Sequence, residues 1–227
     1  MLIGILQCGH FPTAEGFPDR TYTDLYSDLL AGRGLSFRTW SVVDMEFPED
    51  VGDAEGWLIT GSKHGAYEDL PFIPPLEDFI RAAYAAGVPQ VGICFGHQIM
   101  AQALGGRVEK YAGGWSAGRV EYEIDGEVVP LVAWHQDQVV EKPEAAEVLC
   151  STDFCRYAAL AYGDRAMSMQ PHPEFDDEAT RLLLETRAPG VVPPMMIETA
   201  RQALGQPLAS DKAADRIAAF FKEAAHG

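Results

Sequence analysis

Residues Val88 to Gly106 read VPQVGICFGHQIMAQALGG, and their order decides the fold. A short apolar run, Val88–Ile93, stops at Gly92-Ile93-Cys94-Phe95-Gly96, and a helix-compatible pattern, Gln98–Leu104, follows at once. Strand, tight turn and helix, with a side chain at the apex and glycines two residues to either side, is the geometry of the G-x-S-x-G elbow, here with sulfur in place of oxygen. An apex residue in such a strained turn projects above the sheet edge, and the flanking glycines avoid Cβ collisions with neighbouring backbone. The helix that follows turns its free N–H groups and positive end toward the sulfur, which favours thiolate. A buried structural cysteine in a βα turn is the competing reading of this stretch alone.

A second segment weighs against that alternative. Gln170-Pro171-His172-Pro173-Glu174 carries a histidine and a carboxylate two residues apart. In extended backbone, side chains at i and i+2 share a face, and the prolines favour extended conformation before them. Glu174 can then fix the tautomer of His172 and stabilise its imidazolium, leaving His172 to serve Cys94 as general base and then general acid. Taken alone, His-Pro-Glu would read as a surface turn; about 80 residues downstream of a cysteine elbow, it reads as the elbow's partner.

The pattern outward from the elbow is β-α-β alternation. Leu2–Leu6, Leu35–Val43, Gly56–Thr60 and Val88–Ile93 read as strands; Tyr22–Gly32, Pro75–Ala86 and Gln98–Leu104 read as helices. This predicts an α/β fold with a mostly parallel, doubly wound sheet. The middle differs in character. Gly118–Val129 alternates around Asp125-Gly126, a hairpin signal, and Val139-Val140, Glu147–Cys150, Phe154–Tyr162 and Ala166–Gln170 predict further short strands. Asp177–Thr186 reads as a helix, Ala188–Pro194 as a loop, and Ile197–Leu204 and Asp211–Ala225 as closing helices. With no repeat, linker or low-complexity tract, residues 1–227 read as a single domain with a C-terminal helical extension from about 195 to 227.

Composition narrows the function. The chain has 227 residues, 47% hydrophobic, ample for a packed core, and no segment approaches the length of a membrane span. Met1–Leu6 is too short, and lacks the basic flank, for a signal peptide. Seventeen Lys and Arg against 34 Asp and Glu leave a net charge of −17, a field that repels nucleic acid and anionic membrane. Cys8, Cys94, Cys150 and Cys155 form no CxxC pair, so a reduced, cytoplasmic setting is expected. No asparagine occurs, which excludes a Cys-His-Asn triad. No GxxxxGK[ST] occurs, nor a GxGxxG after a strand, so no nucleotide-phosphate cradle is expected.

Gly92, Cys94, Gly96 and Gln98, followed by His172, Pro173 and Glu174, resemble the G-x-C-x-G-x-Q and H-P-E pattern of the class I (triad) glutamine amidotransferases. The resemblance extends from Leu2 to at least Phe175 and is nearest to the stand-alone, GMP-synthase-like branch that includes γ-glutamyl peptide hydrolases. It implies a flavodoxin-like doubly wound sheet with helices on both faces and an added antiparallel strand region. It implies a Cys94-His172-Glu174 triad with an oxyanion site at Gly61, more loosely Ser62, and the Phe95 N–H. Gln98 matches the family's substrate-contacting glutamine, and Trp115, Ser116 and Ala117 take the place of the segment that binds the α-amino and α-carboxylate groups. Gly61 could instead be a turn glycine, and Gln98 could lie on a solvated helix face.

Other polar residues are read more plainly. Trp134–Val139 resembles a family H-x-D segment; His135 could be a second base or, with Asp137, a metal ligand, but a structural His–Asp hydrogen bond is preferred. His10, His64, His97 and His226 lack metal-ligand spacing, and neither metal nor cofactor is expected. His97 is placed to line the pocket, and Cys8 is read as a small buried hydrophobe rather than a cleft residue.

The implied activity is cysteine hydrolysis of the γ-glutamyl amide of glutamine or of a γ-glutamyl amine or peptide, through a γ-glutamyl thioester. Two uses follow: a stand-alone hydrolase, preferred because the SGGxDS signature of fused GMP synthases is absent, or a glutaminase passing ammonia to a separate synthetase subunit. Two other classes compete. An esterase-like cysteine hydrolase would order nucleophile, acid, histidine, with Asp137 or Asp153 as acid; a non-catalytic binding protein would have kept only the fold.

Overall fold

The computed structural model describes residues 1–124 and 126–225; Asp125 of the anticipated hairpin turn and His226 lie outside them. The apolar runs form strands β1 (Leu2–Leu6), β2 (Ser36–Trp40), β3 (Gly56–Ile59) and β4 (Gln90–Ile93), with α1 (Tyr22–Leu29) and α2 (Ile73–Ala85) between them and α3 (Phe95–Ala103) after the elbow. Then come β5 (Arg107–Lys110), β6 (Ser116–Ile124), β7 (Glu127–His135), β8 (Asp137–Glu141), β9 (Glu147–Cys150), β10 (Ala159–Tyr162) and β11 (Ala166–Met169). Helices α4 (Asp177–Thr186), α5 (Pro194–Gln202) and α6 (Ser210–Ala224) close the chain.

Among the described residues the central sheet has seven strands in the order β2-β1-β3-β4-β11-β10-β9. The first five are mutually parallel, and β10 and β9 run antiparallel to their neighbours. The doubly wound α/β architecture expected from the alternation is therefore present. The chain runs outward from β1 to β2 and returns past β1 to β3, which makes a topological switch point; in such sheets the crevice beyond the carboxyl ends of the strands is where ligands bind. Side chains alternate across the strands. Ile3, Ile5, Leu58, Val91, Met167 and Met169 face one core with α1, α4 and α6. Leu6, Trp57 and Ile59 face the other with α2 and α3. In α6, Ile217 and Phe221 are fully buried in the first of these cores, so this helix packs as an integral layer.

Several boundaries differ from expectation for local reasons. The predicted strand Leu35–Val43 ends at Trp40, because Val42–Asp44 tighten into a 3-10 turn that closes on left-handed Met45. The run Phe154–Tyr162 is strand only from Ala159, since Thr152 and Cys155 first close a turn on each other. The hairpin is longer than its alternation suggests: β6 and β7 pair from Ser116↔His135 to Ile124↔Glu127. Strand β5, too polar to register as one, is held by pairing with β8. Helix α5 begins at Pro194, inside the anticipated loop, with proline in its first turn where a missing N–H is harmless.

The elbow decides the packing of β4. A Cβ on Gly92 would lie 2.5 Å from Gly96 O and from Met100 Sδ, and one on Gly96 would collide with the carbonyl oxygen of Ile59. Gly96→Ala should therefore cost about 1–3 kcal/mol through a backbone clash that no side-chain rotation relieves; a thermal melt should fall by roughly 2–12 °C, and an unchanged melt would contradict this packing. Phe221→Ala, which empties a filled core position on α6, should cost about 3–5 kcal/mol in denaturant unfolding; a surface-like cost under about 1 kcal/mol would show that α6 is a loose appendage.

Candidate functional site

Three adjacent strands, β3, β4 and β11, end side by side, with Ile59 opposite Gly92 and Met169 opposite Ile93. The residues that follow them, Gly61, Cys94 and His172, are thereby gathered at one sheet edge. Cys94 N donates to Met169 O at 2.9 Å, and Gly96 N to Thr60 O at 3.1 Å, so hydrogen bonds stitch the three turns together. Cys94 has φ 53° and ψ −102°, and with Met45 it is one of two non-glycine residues with positive φ among those described. The strain expected at an elbow apex is present. Helix α3 begins at Phe95 rather than Gln98: the turn at Cys94 is completed within one residue, and helical hydrogen bonding starts at once, with Gln98 N donating to Cys94 O at 3.0 Å.

His172 and Glu174 share a face, as their spacing predicts. Their Nδ1 and Oε1 atoms are 2.7 Å apart, with side chains 2% and 0% exposed. His172 N donates to Val132 O at 2.8 Å, which keeps the segment extended. The imidazole lies flat on Phe175, centroids 4.0 Å apart at 6°. A carboxylate only accepts, so Nδ1 carries the proton and Nε2 is left without one; the Cys94 thiol points to Trp134 O at 3.9 Å. Nε2 is buried and makes no hydrogen bond among the described residues. Burial disfavours the imidazolium, but the nearby negative charges of a Cys94 thiolate and of Glu174, with the hydrogen bond to Glu174, outweigh it and hold His172 above its ordinary range. Tyr26 Oη also donates to Glu174 Oε1, at 2.9 Å.

The turn after β3 is fixed from below. Thr60 Oγ1 accepts from Cys8 N and donates to Gly61 O, both at 2.9 Å, and Ser62 Oγ donates to Cys8 O at 2.7 Å. A Cβ on Gly61 would sit 3.1 Å from His172 Cε1, so a bare backbone there lets the loop approach the imidazole. The N–H groups of Gly61 and Phe95 find no backbone acceptor among the described residues, and the first N–H groups of a helix are open by construction.

A cavity of about 310 Å³ opens above these turns, and its walls include Cys94, His172, Tyr22, Gln98, Trp115 and Trp134. Gln98 is not on a solvated face: it is 2% exposed, and its Nε2 donates to Asp137 O at 2.9 Å and Gln170 Oε1 at 3.1 Å. Trp115 stands in the wall, whereas Ser116 and Ala117 follow it into β6, opposite His135 and Trp134, and do not line the cavity. The expected His135–Asp137 side-chain bond is not formed. His135 Nδ1 instead meets the backbone carbonyl of Asp137 at 3.1 Å, and the Asp137 carboxylate accepts from Tyr67 Oη at 3.2 Å. Burial lowers the His135 pKa to about 4 and raises that of Asp137. His97 does not line the cavity either. It is fully buried, its Nδ1 is 2.7 Å from Ser168 Oγ, and burial lowers its pKa to about 3. Cys8 is buried, its thiol donating to Leu6 O at 3.4 Å, and burial pushes its pKa up. No group of three His, Cys, Asp or Glu among the described residues is arranged to hold a metal ion.

Tyr22 and Tyr26 escape sequence reasoning. Four residues apart, they form an apolar stripe on α1 that reads as core, and nothing local connects Tyr26 with a carboxylate 148 residues away.

Comparison with known proteins bears on family and fold. Residues 43–185 match the family model described as glutamine amidotransferase class-I. A γ-glutamyl peptidase 4 of Arabidopsis thaliana is 33% identical over 171 residues, 68% of each chain. The glutamine-hydrolyzing GMP synthase of Methanopyrus kandleri has a subunit that is 34% identical over 146 residues, 56% of this chain and 71% of that one. A crystal structure of a glutamine amido transferase from Methylobacillus flagellatus superimposes with a TM-score of 0.76 over 98% of this chain and 94% of that one, at 21% identity, a likeness of fold. Matched over most of its length by the family model, and one-third identical to a γ-glutamyl peptidase over two-thirds of that length, this chain belongs to the class I glutamine amidotransferase family.

Proposed function

We propose that residues 1–227 act as one domain, a cysteine hydrolase that cleaves the γ-glutamyl amide bond of a γ-glutamyl amine or peptide, with Cys94, His172 and Glu174 as its triad. The observation that carries the reading is the buried His172–Glu174 pair at 2.7 Å, set beside a strained cysteine at the head of α3. Cys94 Sγ adds to the γ-carbonyl carbon, its proton having passed to His172 Nε2. The N–H groups of Gly61 and Phe95 hold the oxyanion. Nε2 then protonates the leaving nitrogen, and the carbon–nitrogen bond breaks to give a γ-glutamyl thioester. Water adds to the thioester as Nε2 takes its proton; glutamate departs, and the proton returns to sulfur. Gln98 and Trp115 are assigned to the glutamyl moiety because both face the cavity; Ser116 and Ala117 would act only through the backbone that carries Trp115.

Glu174 supplies the acid partner after the histidine, and the Asp137 carboxylate turns to Tyr67, which supports this order of residues over the esterase order. No helix among the described residues is long and apolar enough to cross a membrane, and the four cysteines are free thiols. The relative that belongs to a GMP synthase favours a second reading, glutaminase activity serving a separate synthetase.

Cys94→Ala should abolish glutamate release from a panel of γ-glutamyl amines and glutamine while leaving the melting temperature close to wild type; turnover near wild type in this variant would refute the assignment. Glutamine hydrolysis that begins only when a synthetase is added would select the second reading. Glu174→Gln removes the charge that favours imidazolium, so the pKa of His172 should fall. The alkaline limb of kcat/KM should then move to lower pH, with a loss of about 10²-fold or more at the optimum. A pH profile superimposable on that of the wild type would remove Glu174 from the proposed triad.

A further inference from the structure

Tyr22 opens α1 and lines the cavity above Cys94. Its side chain is held firmly: the ring meets Phe11 edge-on with centroids 5.4 Å apart and stacks on Tyr26 at 6.4 Å, and the residue is only 7% exposed. Its hydroxyl nevertheless donates to no described residue. Tyr26 differs, since its hydroxyl is committed to Glu174. If Tyr22 served only as an apolar wall, phenylalanine would fill the same space; the Tyr22 oxygen is not among the sealed, partnerless polar atoms and is left open to the cavity that Cys94 also lines. The position of the oxygen points to its partner. A Cβ on Gly61 would lie 3.3 Å from Tyr22 Oη and 3.1 Å from His172 Cε1, so the phenolic oxygen, the Gly61 backbone and the imidazole edge converge on one spot.

We propose that Tyr22 is a catalytic residue whose phenolic O–H donates a hydrogen bond to the scissile carbonyl oxygen as it becomes an oxyanion, beside the Gly61 N–H. The inference rests on the hydrolase reading above and adds a third donor to it. As the sulfur–carbon bond forms, the carbonyl π pair moves onto oxygen; the phenol lends a hydrogen bond and keeps its proton. Burial, then the charges of Cys94 and Glu174, hold the Tyr22 pKa well above the ordinary phenol value, so it stays a donor throughout the cycle. A rigid donor set by ring packing needs no reorganisation when charge develops, which is the condition under which such hydrogen bonds contribute most to rate.

Tyr22→Phe tests this, because the ring contacts survive and only the hydroxyl is lost. The probe is γ-glutamyl-p-nitroanilide, with glutamine and γ-glutamylalanine as further substrates and iodoacetamide as a reagent that alkylates Cys94 without forming an oxyanion. The variant should melt like the wild type and alkylate within about two-fold of its rate, while kcat and kcat/KM fall together by roughly 10²-fold, the signature of a donor used in the transition state. An unchanged kcat, a change confined to KM, or a parallel loss of alkylation would overturn the inference; the last would place Tyr22 on the thiol instead. A wild-type protein that alkylates at Cys94 yet releases glutamate from none of the three substrates would overturn the hydrolase reading itself, and this inference with it.

Discussion

The contact between the Gly96 backbone and the carbonyl of Ile59 is the constraint on which the rest of the site depends. It brings the head of α3 directly against the end of β3, closer than any side chain would allow. That closeness forces Cys94 into positive φ, projects its side chain above the sheet edge, and sets the open N–H groups of α3 behind it. The same approach sets the turn after β3, which carries Gly61, beside the turn after β4, which carries Phe95. The strain at Cys94 is tolerated because hydrogen bonds on both sides, to Met169 and Thr60, leave the turn no alternative path.

Around this turn the protein buries charge, which ordinarily destabilises a fold. Pairing covers one side of the carboxylate, while Glu174 Oε2 and His172 Nε2 are buried without a partner among the described residues. Glu174 accepts from His172 and Tyr26 through one oxygen, and His172 rests on Phe175. In so dry a place, electrostatic interactions gain strength, and the carboxylate can hold an imidazolium that bulk water would leave neutral at physiological pH. The net charge of −17 bears on solubility and long-range repulsion; the ionisation of His172 is governed by neighbours a few ångströms away.

Helix α1 shows how one element serves structure and site together. Its capping box at Thr21 and Asp24 fixes where the helix begins, and therefore where the Tyr22 and Tyr26 rings point. Both rings belong to the core that packs this face of the sheet, yet their hydroxyls reach toward the glycine turn and the acid partner. Core packing here supplies the rigidity that a site on loops alone would lack.

The elbow, the parallel sheet and the His172–Glu174 pairing were legible in the linear chain, because each rests on local rules: glycine at positions where a Cβ would clash, alternation of apolar runs, and the period of two in extended backbone. The added antiparallel strands were legible in part; β5 is too polar to register as a strand and exists through its pairing with β8. What the chain order could not reveal are contacts between residues distant along it. The partner of His135 proved to be a carbonyl rather than a carboxylate, His97 turned inward to Ser168, and two tyrosines that look like core reached the site. Sequence by itself determined which groups are available and how their immediate backbone bends. Only the tertiary structure decided which of them meet, because the ends of β3, β4 and β11 become neighbours through long-range strand pairing, and the direction of a side chain there depends on packing that no local pattern encodes.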